Sequence, residues 1–128
     1  MLAVDTNIVV RYIVGDDPEQ SGRARALVRD QAIWVSTTVL LETAWVLRKT
    51  YGYKPGQIAW ALRLFAGLPT VTLQEADRVA IALGWLDKLD VADALHLAQS
   101  DEAEALLTFD QRLIRGAAGL GAVPVREP

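Results

Sequence analysis

The stretch Leu2-Ala3-Val4-Asp5-Thr6-Asn7, which leads into the run 8–14 (IVVRYIV), decides the fold of this chain. Its apolar residues predict a short buried strand that ends at Asp5, and the following run has the spacing of an amphipathic helix that Gly15 ends. Ligands of an open parallel sheet bind outside the carboxyl ends of the strands. Asp5 is therefore predicted to lie where chemistry would occur, although an aspartate just before a helix is also typical of an N-cap.

The rest of the chain alternates short apolar runs with longer helical patterns. Further helices are predicted over 18–30, 37–51, 55–67, 74–87, 90–100 and 111–115, and further strands over 32–35, 71–73, 105–108 and 122–125. This alternation predicts an α/β fold with a largely parallel sheet and right-handed crossovers. We find no repeat, low-complexity segment or linker, and expect a single domain over residues 1–128.

Composition narrows the class of protein. The chain has 128 residues, 52% of them hydrophobic, no cysteine and one histidine, which argues against disorder, thiolate metal sites and histidine-rich zinc sites. No apolar run is long enough to span a membrane, and no secretory signal opens the chain, so we expect a cytoplasmic protein. The net charge of −3 means that any RNA binding would depend on local basic residues and a metal ion.

Three further acids are candidates to meet Asp5: Glu42 within a helix, Asp93 early in a helix, and Asp110 after a strand. Each also has a structural interpretation. Glu42 would lie on a solvent face, Asp93 and Asp90 would favour the positive end of a helix, and Asp110 would cap a helical turn.

Convergence of these acids would require a cation. Carboxylates in close proximity repel one another, and without a cation one of them would take up a proton. Mg²⁺ prefers oxygen ligands and activates water at phosphodiesters. The acids therefore favour a Mg²⁺ site for phosphodiester hydrolysis.

Four segments resemble, in order and spacing, the PIN-domain ribonuclease toxins of the VapC type from bacterial toxin–antitoxin pairs. The segments are 4–7 (VDTN), 41–47 (LETAWVL), 90–98 (DVADALHLA) and 107–110 (LTFD), and the run 11–18 (RYIVGDDP) is also similar. The resemblance implies a PIN-like three-layer α/β/α fold with a mostly parallel sheet of four to five strands.

The resemblance also implies a Mg²⁺-dependent endoribonuclease, with Mn²⁺ as a possible substitute. Its acidic positions, both catalytic and metal-binding, fall on Asp5, Glu42, Asp93 and Asp110. Its supporting positions fall on Thr6, Asn7, Asp90 and Thr108. Many relatives carry a basic residue just after the last acid, where this chain has Gln111 followed by Arg112, and this departure leaves the contacts to the RNA backbone open. The candidates for phosphate contact are Arg11, Arg112 and Arg115, each of which could also be an ordinary surface charge.

Partners follow from the same resemblance: an RNA substrate, a VapB-like antitoxin whose amphipathic helix fills a groove, and a second copy in a homodimer. We expect most of the large rings to be core residues and some to line such a groove; these are Tyr12, Trp34, Trp45, Trp60 and Phe65. His96 is a tempting general acid, but its apolar neighbours predict a structural role.

Four other functions are open. The chain could be a PIN-like RNA-processing nuclease that is not a toxin, or a catalytically silent PIN-like binding module. A phosphatase with Asp5 as nucleophile usually needs a second aspartate where this chain has Asn7. A phospho-accepting receiver domain would need a lysine after a late strand, and Asp110-Gln111-Arg112 does not supply one.

Overall fold

The computed structural model describes all residues 1–128, and these divide into two compact units, Met1–Ala76 and Asp77–Pro128. Seven helices alternate with five short strands, and every strand pair is parallel. This confirms the α/β class and is consistent with the three-layer α/β/α PIN-like fold. None of the helices has the length and apolarity that crossing a membrane requires. The single domain over 1–128 stays a prediction.

The N-terminal unit (1–76) contains one three-stranded sheet, in the order β1-β2-β3, and four helices. Leu2 pairs with Ile33, and Ile33 pairs with Val71. Its elements are β1 (Leu2–Ala3), α1 (Thr6–Val14), α2 (Pro18–Asp30), β2 (Ile33–Val35), α3 (Thr37–Lys49), α4 (Pro55–Ala66) and β3 (Val71–Leu73).

Local signals in the sequence explain the ends of these helices. Gly15 ends α1 in the left-handed conformation, with φ 73°, which favours glycine because it lacks a Cβ. The Asp17 side chain accepts the backbone N–H of Gln20 at 3.1 Å, and Pro18 follows in the first turn of α2. The Ser36 hydroxyl caps α3 by accepting from Val39 N at 3.3 Å.

The core of the N-terminal unit lies where helices cover the sheet. Phe65 of α4 is 1% exposed, and its ring lies 5.4 Å from the ring of Tyr12 in α1. It belongs to a buried cluster made by Val9, Val28, Ile33, Val35, Phe65 and Val71. The prediction that the first strand is buried is wrong, since Leu2 and Ala3 are exposed. Of this apolar run only Val4, the residue after β1, packs against the buried cluster.

The C-terminal unit (77–128) contains a two-stranded sheet and three helices. Leu106 pairs with Val125 and Leu107 pairs with Arg126. Its elements are α5 (Ala76–Leu83, which begins at the last residue of the N-terminal unit), α6 (Val91–Ala98), β4 (Leu106–Leu107), α7 (Gln111–Gly116) and β5 (Val125–Arg126).

The structure differs from the predicted elements in two respects. The helix predicted over 74–87 covers only Ala76–Leu83, because Glu75 has a φ of 56° and the N–H groups of Gly84 and Trp85 bond to carbonyls three residues back. This tighter pattern ends an α-helix. The predicted single sheet of four to five strands is instead hydrogen-bonded as sheets of three and two strands. Strands of two residues, such as β1, β4 and β5, offer few groups for further pairing.

Candidate active site

Two of the predicted acids belong to the N-terminal unit. Asp5 follows β1, and α3 follows β2, so the parallel pairing of these strands brings the start of α1 and the start of α3 to the same edge of the sheet. The Thr6 hydroxyl donates a hydrogen bond to Glu42 Oε1. Thr6 is buried while Glu42 is exposed, so the carboxylate of Glu42 is fixed at one oxygen and open to solvent.

Asp5 is also the N-cap of α1. Its Oδ1 accepts the backbone N–H of Ile8 at 3.4 Å, as its structural interpretation predicts. The other carboxylate oxygen, Oδ2, has no hydrogen-bond partner in the protein. Capping therefore occupies one oxygen of Asp5 and leaves the second available to a ligand.

Asp110 in the C-terminal unit has the same arrangement. Its Oδ1 accepts the backbone N–H groups of Arg112 at 2.8 Å and Leu113 at 3.2 Å, so it caps α7. The Thr108 hydroxyl accepts the N–H of Asp110 at 3.0 Å, which orders the backbone at this residue. Asp110 Oδ2 makes no hydrogen bond, and Asp110 is exposed.

Asp93 lies in the first turn of α6, and Asp90 is the residue that precedes that helix. Burial raises the pKa of Asp93, the carboxylates of Asp90 and Asp110 raise this pKa further, and His96 lowers it. The C-terminal unit therefore brings three predicted site residues into electrostatic contact. A proton or a cation bound at Asp93 would reduce the repulsion between these carboxylates.

The structure contains no group of three or more His, Cys, Asp or Glu side chains that could hold a metal ion. It joins Thr6 to Glu42 in one unit, and Asp93 to Asp90 and Asp110 in the other. The assignment of all four acids to a common metal stays a prediction.

The predicted RNA-contact residues differ in how they are held. Arg11 Nη1 contacts Asp16 Oδ1 at 2.9 Å, and Arg11 Nε donates to Gln20 Oε1 at 2.8 Å. The hydroxyl of Tyr51 donates to Asp16 Oδ2 at 2.8 Å. Two further candidates are exposed and make no ion pair: Arg112 and Arg115.

Two expectations about side-chain burial are wrong. His96 is exposed, because the buried residues of α6 occupy the other positions of its helical turn, such as Leu95 and Leu97. Most of the large rings are not core residues: Phe65 is buried and Tyr12 and Trp34 are half-buried, but two are largely exposed, Trp45 (55%) and Trp60 (67%).

A groove between α1 and α2 brings in residues that were not predicted. It has a volume of about 560 Å³, and its lining includes Asp5, Asn7 and Arg11 together with Gln20 and Arg23 of α2. The spacing of Gln20 and Arg23, which places them on one helix face, is a signal that the sequence carries. Which face of α1 they meet depends on helix packing.

The PIN domain family model matches residues 2–119, so the chain belongs to the PIN domain family, a family of nucleases. Among solved structures, the chain is similar to Mycobacterium tuberculosis VapC20, whose crystal structure is described as that of a Sarcin-Ricin loop cleaving toxin. The two share 22% sequence identity over 97% of this chain and 99% of that chain, with a TM-score of 0.46. A comparison with curated proteins finds no match.

Proposed function

We propose that this protein is a metal-dependent endoribonuclease toxin of the VapC type. The observation that carries the proposal is the PIN-domain match over residues 2–119, a range that contains all four acids. In this proposal the metal ligands and catalytic residues are Asp5, Glu42, Asp93 and Asp110. The cytoplasm, where RNA is abundant, is the expected compartment.

The donor set fits a hard divalent cation. All four side chains offer carboxylate oxygens, the ligands that Mg²⁺ and Mn²⁺ prefer. Asp5 and Asp110 each have a carboxylate oxygen without a protein partner. The raised pKa of Asp93, caused by burial and then by Asp90 and Asp110, means that a cation there would offset unfavourable negative charge. When bound, Mg²⁺ acts as a Lewis acid and lowers the pKa of water.

The side chains around the acids have separate tasks in this proposal. Thr6 donates to Glu42 and holds its carboxylate in one orientation, as outer partners of metal ligands do. Thr108 orders the backbone at Asp110. Asn7 and Asp90 support the acids, and one carboxylate takes the proton of the attacking water.

Basic residues would contact the RNA backbone on either side of the cleaved bond. Arg112 and Arg115 are exposed and unpaired, so they are open to phosphate groups. Arg11 is held by Asp16 and Gln20, which presents its guanidinium in a fixed orientation. Binding through such contacts weakens as salt concentration rises.

We also propose a VapB-like antitoxin and a second copy of the chain as protein partners. Trp45 of α3 is 55% exposed, and Trp60 and Leu64 of α4 are 67% and 54% exposed. Exposed apolar surface of this kind is typical of a protein interface. An amphipathic helix of the antitoxin would bury part of it, and a basic antitoxin side chain at the carboxylates would take the place of the metal.

The test is cleavage of total cellular RNA by purified protein that has been freed of any antitoxin. Reactions contain Mg²⁺, Mn²⁺ or EDTA, and the variants Asp5→Asn and Asp93→Asn are assayed beside the wild type. We expect discrete fragments that require metal and are absent with both variants. Intact RNA in every reaction, from folded protein, would refute the nuclease and favour a silent binding module.

A further inference from the structure

We infer that Phe109 is a specificity-determining residue, whose ring stacks on the base of a substrate nucleotide close to the bond that is cut. This inference rests on the proposed ribonuclease function and deepens it, because it assigns recognition of a base to a residue outside the acids and arginines of the site. Phe109 directly precedes Asp110, so the Cα atoms of the two residues are about 3.8 Å apart. A base on the ring therefore belongs to a nucleotide close to the reacting phosphate.

The side chain of Phe109 is open to water. The residue is 79% exposed, more than Trp60 (67%) or any other large hydrophobic residue of the chain. A single exposed apolar side chain is common on protein surfaces and indicates nothing by itself. Phe109 differs from such residues in the order of the backbone that carries it and in the charges beside it.

Hydrogen bonds fix the backbone on both sides of Phe109. The N–H of Thr108 donates to the carbonyl of Arg126 in β5 at 3.0 Å. The Thr108 hydroxyl accepts the N–H of Asp110 at 3.0 Å, and Asp110 Oδ1 accepts two backbone N–H groups of α7. Because the turn that carries the ring is already ordered, binding a base costs little further ordering of the protein.

The charges beside the ring suit a nucleic acid. The side chains of Arg112 and Arg115 are exposed and make no ion pair, so both are open to phosphate groups. An aromatic ring beside such cations is typical of sites for single-stranded nucleic acid, where the ring stacks on a base and the cations follow the backbone. Bases within a duplex are already stacked on one another, so the ring favours a nucleotide in a loop or a bulge.

The same surface does not suit an amphipathic helix of a protein partner. Such a helix binds in a predominantly apolar groove. The residues that follow the ring are exposed and consist of an acid, an amide and a base: Asp110, Gln111 and Arg112. From β4 to the end of α7, the one other exposed large apolar residue is Leu107 (50%). Two apolar side chains are too few to form such a groove.

The composition of the chain provides a direct test of stacking. The chain contains two phenylalanines, and the other one, Phe65, is 1% exposed in the core of the N-terminal unit. Protein labelled with para-fluorophenylalanine therefore gives two fluorine NMR signals, one from the proposed stacking residue and one from a buried internal control. The spectrum of Phe109→Leu protein assigns them.

The titration uses Asp93→Asn protein, which we expect to bind RNA without cutting it. The probes are four single-stranded homo-oligoribonucleotides, one for each base, and an abasic oligonucleotide of the same length. We expect at least one of the four to shift the Phe109 signal, the abasic oligonucleotide to leave it in place, and the Phe65 signal to stay constant throughout. No shift with any oligonucleotide, or an equal shift with the abasic one, would overturn the inference.

Kinetics test the same residue during cleavage. Loss of the stack on one base weakens binding about tenfold, so we expect Phe109→Ala to raise KM about tenfold and to keep kcat within about twofold. Phe109→Trp retains a flat ring and should keep the wild-type KM, whereas Phe109→Leu is apolar without a flat ring and should resemble the alanine variant. Ile81→Ala removes another exposed apolar side chain of the C-terminal unit (51%) and should match the wild type.

The outcomes separate this inference from the proposed function. A wild type that cuts no RNA contradicts the proposed function. A wild type that cuts RNA while Phe109→Ala and Phe109→Leu keep its KM contradicts only the stacking role. A Phe109 signal that shifts with an amphipathic peptide but with no oligonucleotide assigns the ring to a protein partner instead, against the inference.

Discussion

Replacing Thr6 by valine tests whether the hydrogen bond to Glu42 organises the candidate site. The substitution keeps the shape of the side chain but removes the hydroxyl that donates to Glu42 Oε1. Thr6 is 7% exposed, whereas Glu42 is exposed and can bond to water instead. A net hydrogen bond contributes about 0.5–1.5 kcal/mol, so we expect a loss of about 1 kcal/mol of unfolding free energy and a fall in Tm of about 3–5 °C.

The effect on activity should be larger than the effect on stability. Loss of an outer partner of a metal ligand typically costs about 10–100-fold in metal affinity or activity. We therefore expect kcat to fall at least about tenfold at saturating RNA, with higher Mg²⁺ restoring part of it. Urea denaturation and single-turnover cleavage measure the two effects separately.

A second threonine provides a matched control. Thr43 lies on the same helix as Glu42, is 0% exposed, and donates to the backbone carbonyl of Val39 at 2.8 Å. Thr43→Val should leave cleavage unchanged. The reasoning would be refuted if Thr6→Val had the same effect on cleavage in a Glu42→Ala background, which lacks the acceptor, as in the wild type, because a double-mutant cycle without coupling means that Thr6 does not act through Glu42.

Three more predictions follow from the buried and charged groups. Because the pKa of Asp93 is raised, first by burial, the native state holds this proton more tightly than the unfolded chain. The protonated carboxyl group of Asp93 therefore contributes to the free energy of unfolding at acidic pH, and this contribution is lost as the pH rises through the native pKa. At neutral pH we expect Asp93→Asn to have a higher free energy of unfolding than the metal-free wild type. Equal free energies of unfolding for the two proteins from pH 4 to 8 would contradict this. Phe65→Ala should lower the free energy of unfolding by about 3–5 kcal/mol in urea denaturation, because the ring is buried against Tyr12. A loss below about 1 kcal/mol would show that Phe65 is not a core residue. The hydrogen bond from Tyr51 lowers the pKa of Asp16, so Tyr51→Phe should raise that pKa in a carboxyl NMR titration, whereas an unchanged pKa would show that the bond is absent in solution.

Helix boundaries followed from the sequence where the signal is local. Gly15, Asp17 with Pro18, and Ser36 act within one helical turn, so residue type alone determines the start or end of the helix. The end of α5 was missed because Gly84 reads as a tolerated irregularity within a helical pattern. In the structure the chain tightens at this residue into bonds between residues three apart.

Burial and pairing across the sheet could not be read from the sequence in the same way. Leu2 and Val4 are both apolar, but only Val4 packs against the buried cluster while Leu2 is exposed. His96 lies between the buried residues Leu95 and Leu97, yet its side chain projects from the exposed face of α6. Trp60 lies in an apolar helix between the buried residues Ala59 and Ala61, and only the packing of α4 decides that its ring is exposed.

The sequence predicted which residues belong to the candidate site, but not how their side chains are arranged. Capping roles for Asp5 and Asp110 followed from their place before a helix, and the structure confirms both. The bond from Thr6 to Glu42 joins residues 36 positions apart and depends on the parallel pairing of β1 with β2. The contribution of Arg23 to the groove likewise depends on how α2 packs against α1.

The measurement that tests the central claim most directly is equilibrium binding of Mn²⁺, followed by the electron paramagnetic resonance of the free ion. The proteins are the wild type, Asp5→Asn, Asp93→Asn and, as a control, Asp87→Asn, which changes an exposed acid outside the proposed site. If Asp5 and Asp93 are metal ligands as proposed, Asp5→Asn and Asp93→Asn each weaken Mn²⁺ binding by at least about tenfold, and Asp87→Asn binds as the wild type does. Wild-type affinity in either acid variant would contradict the account.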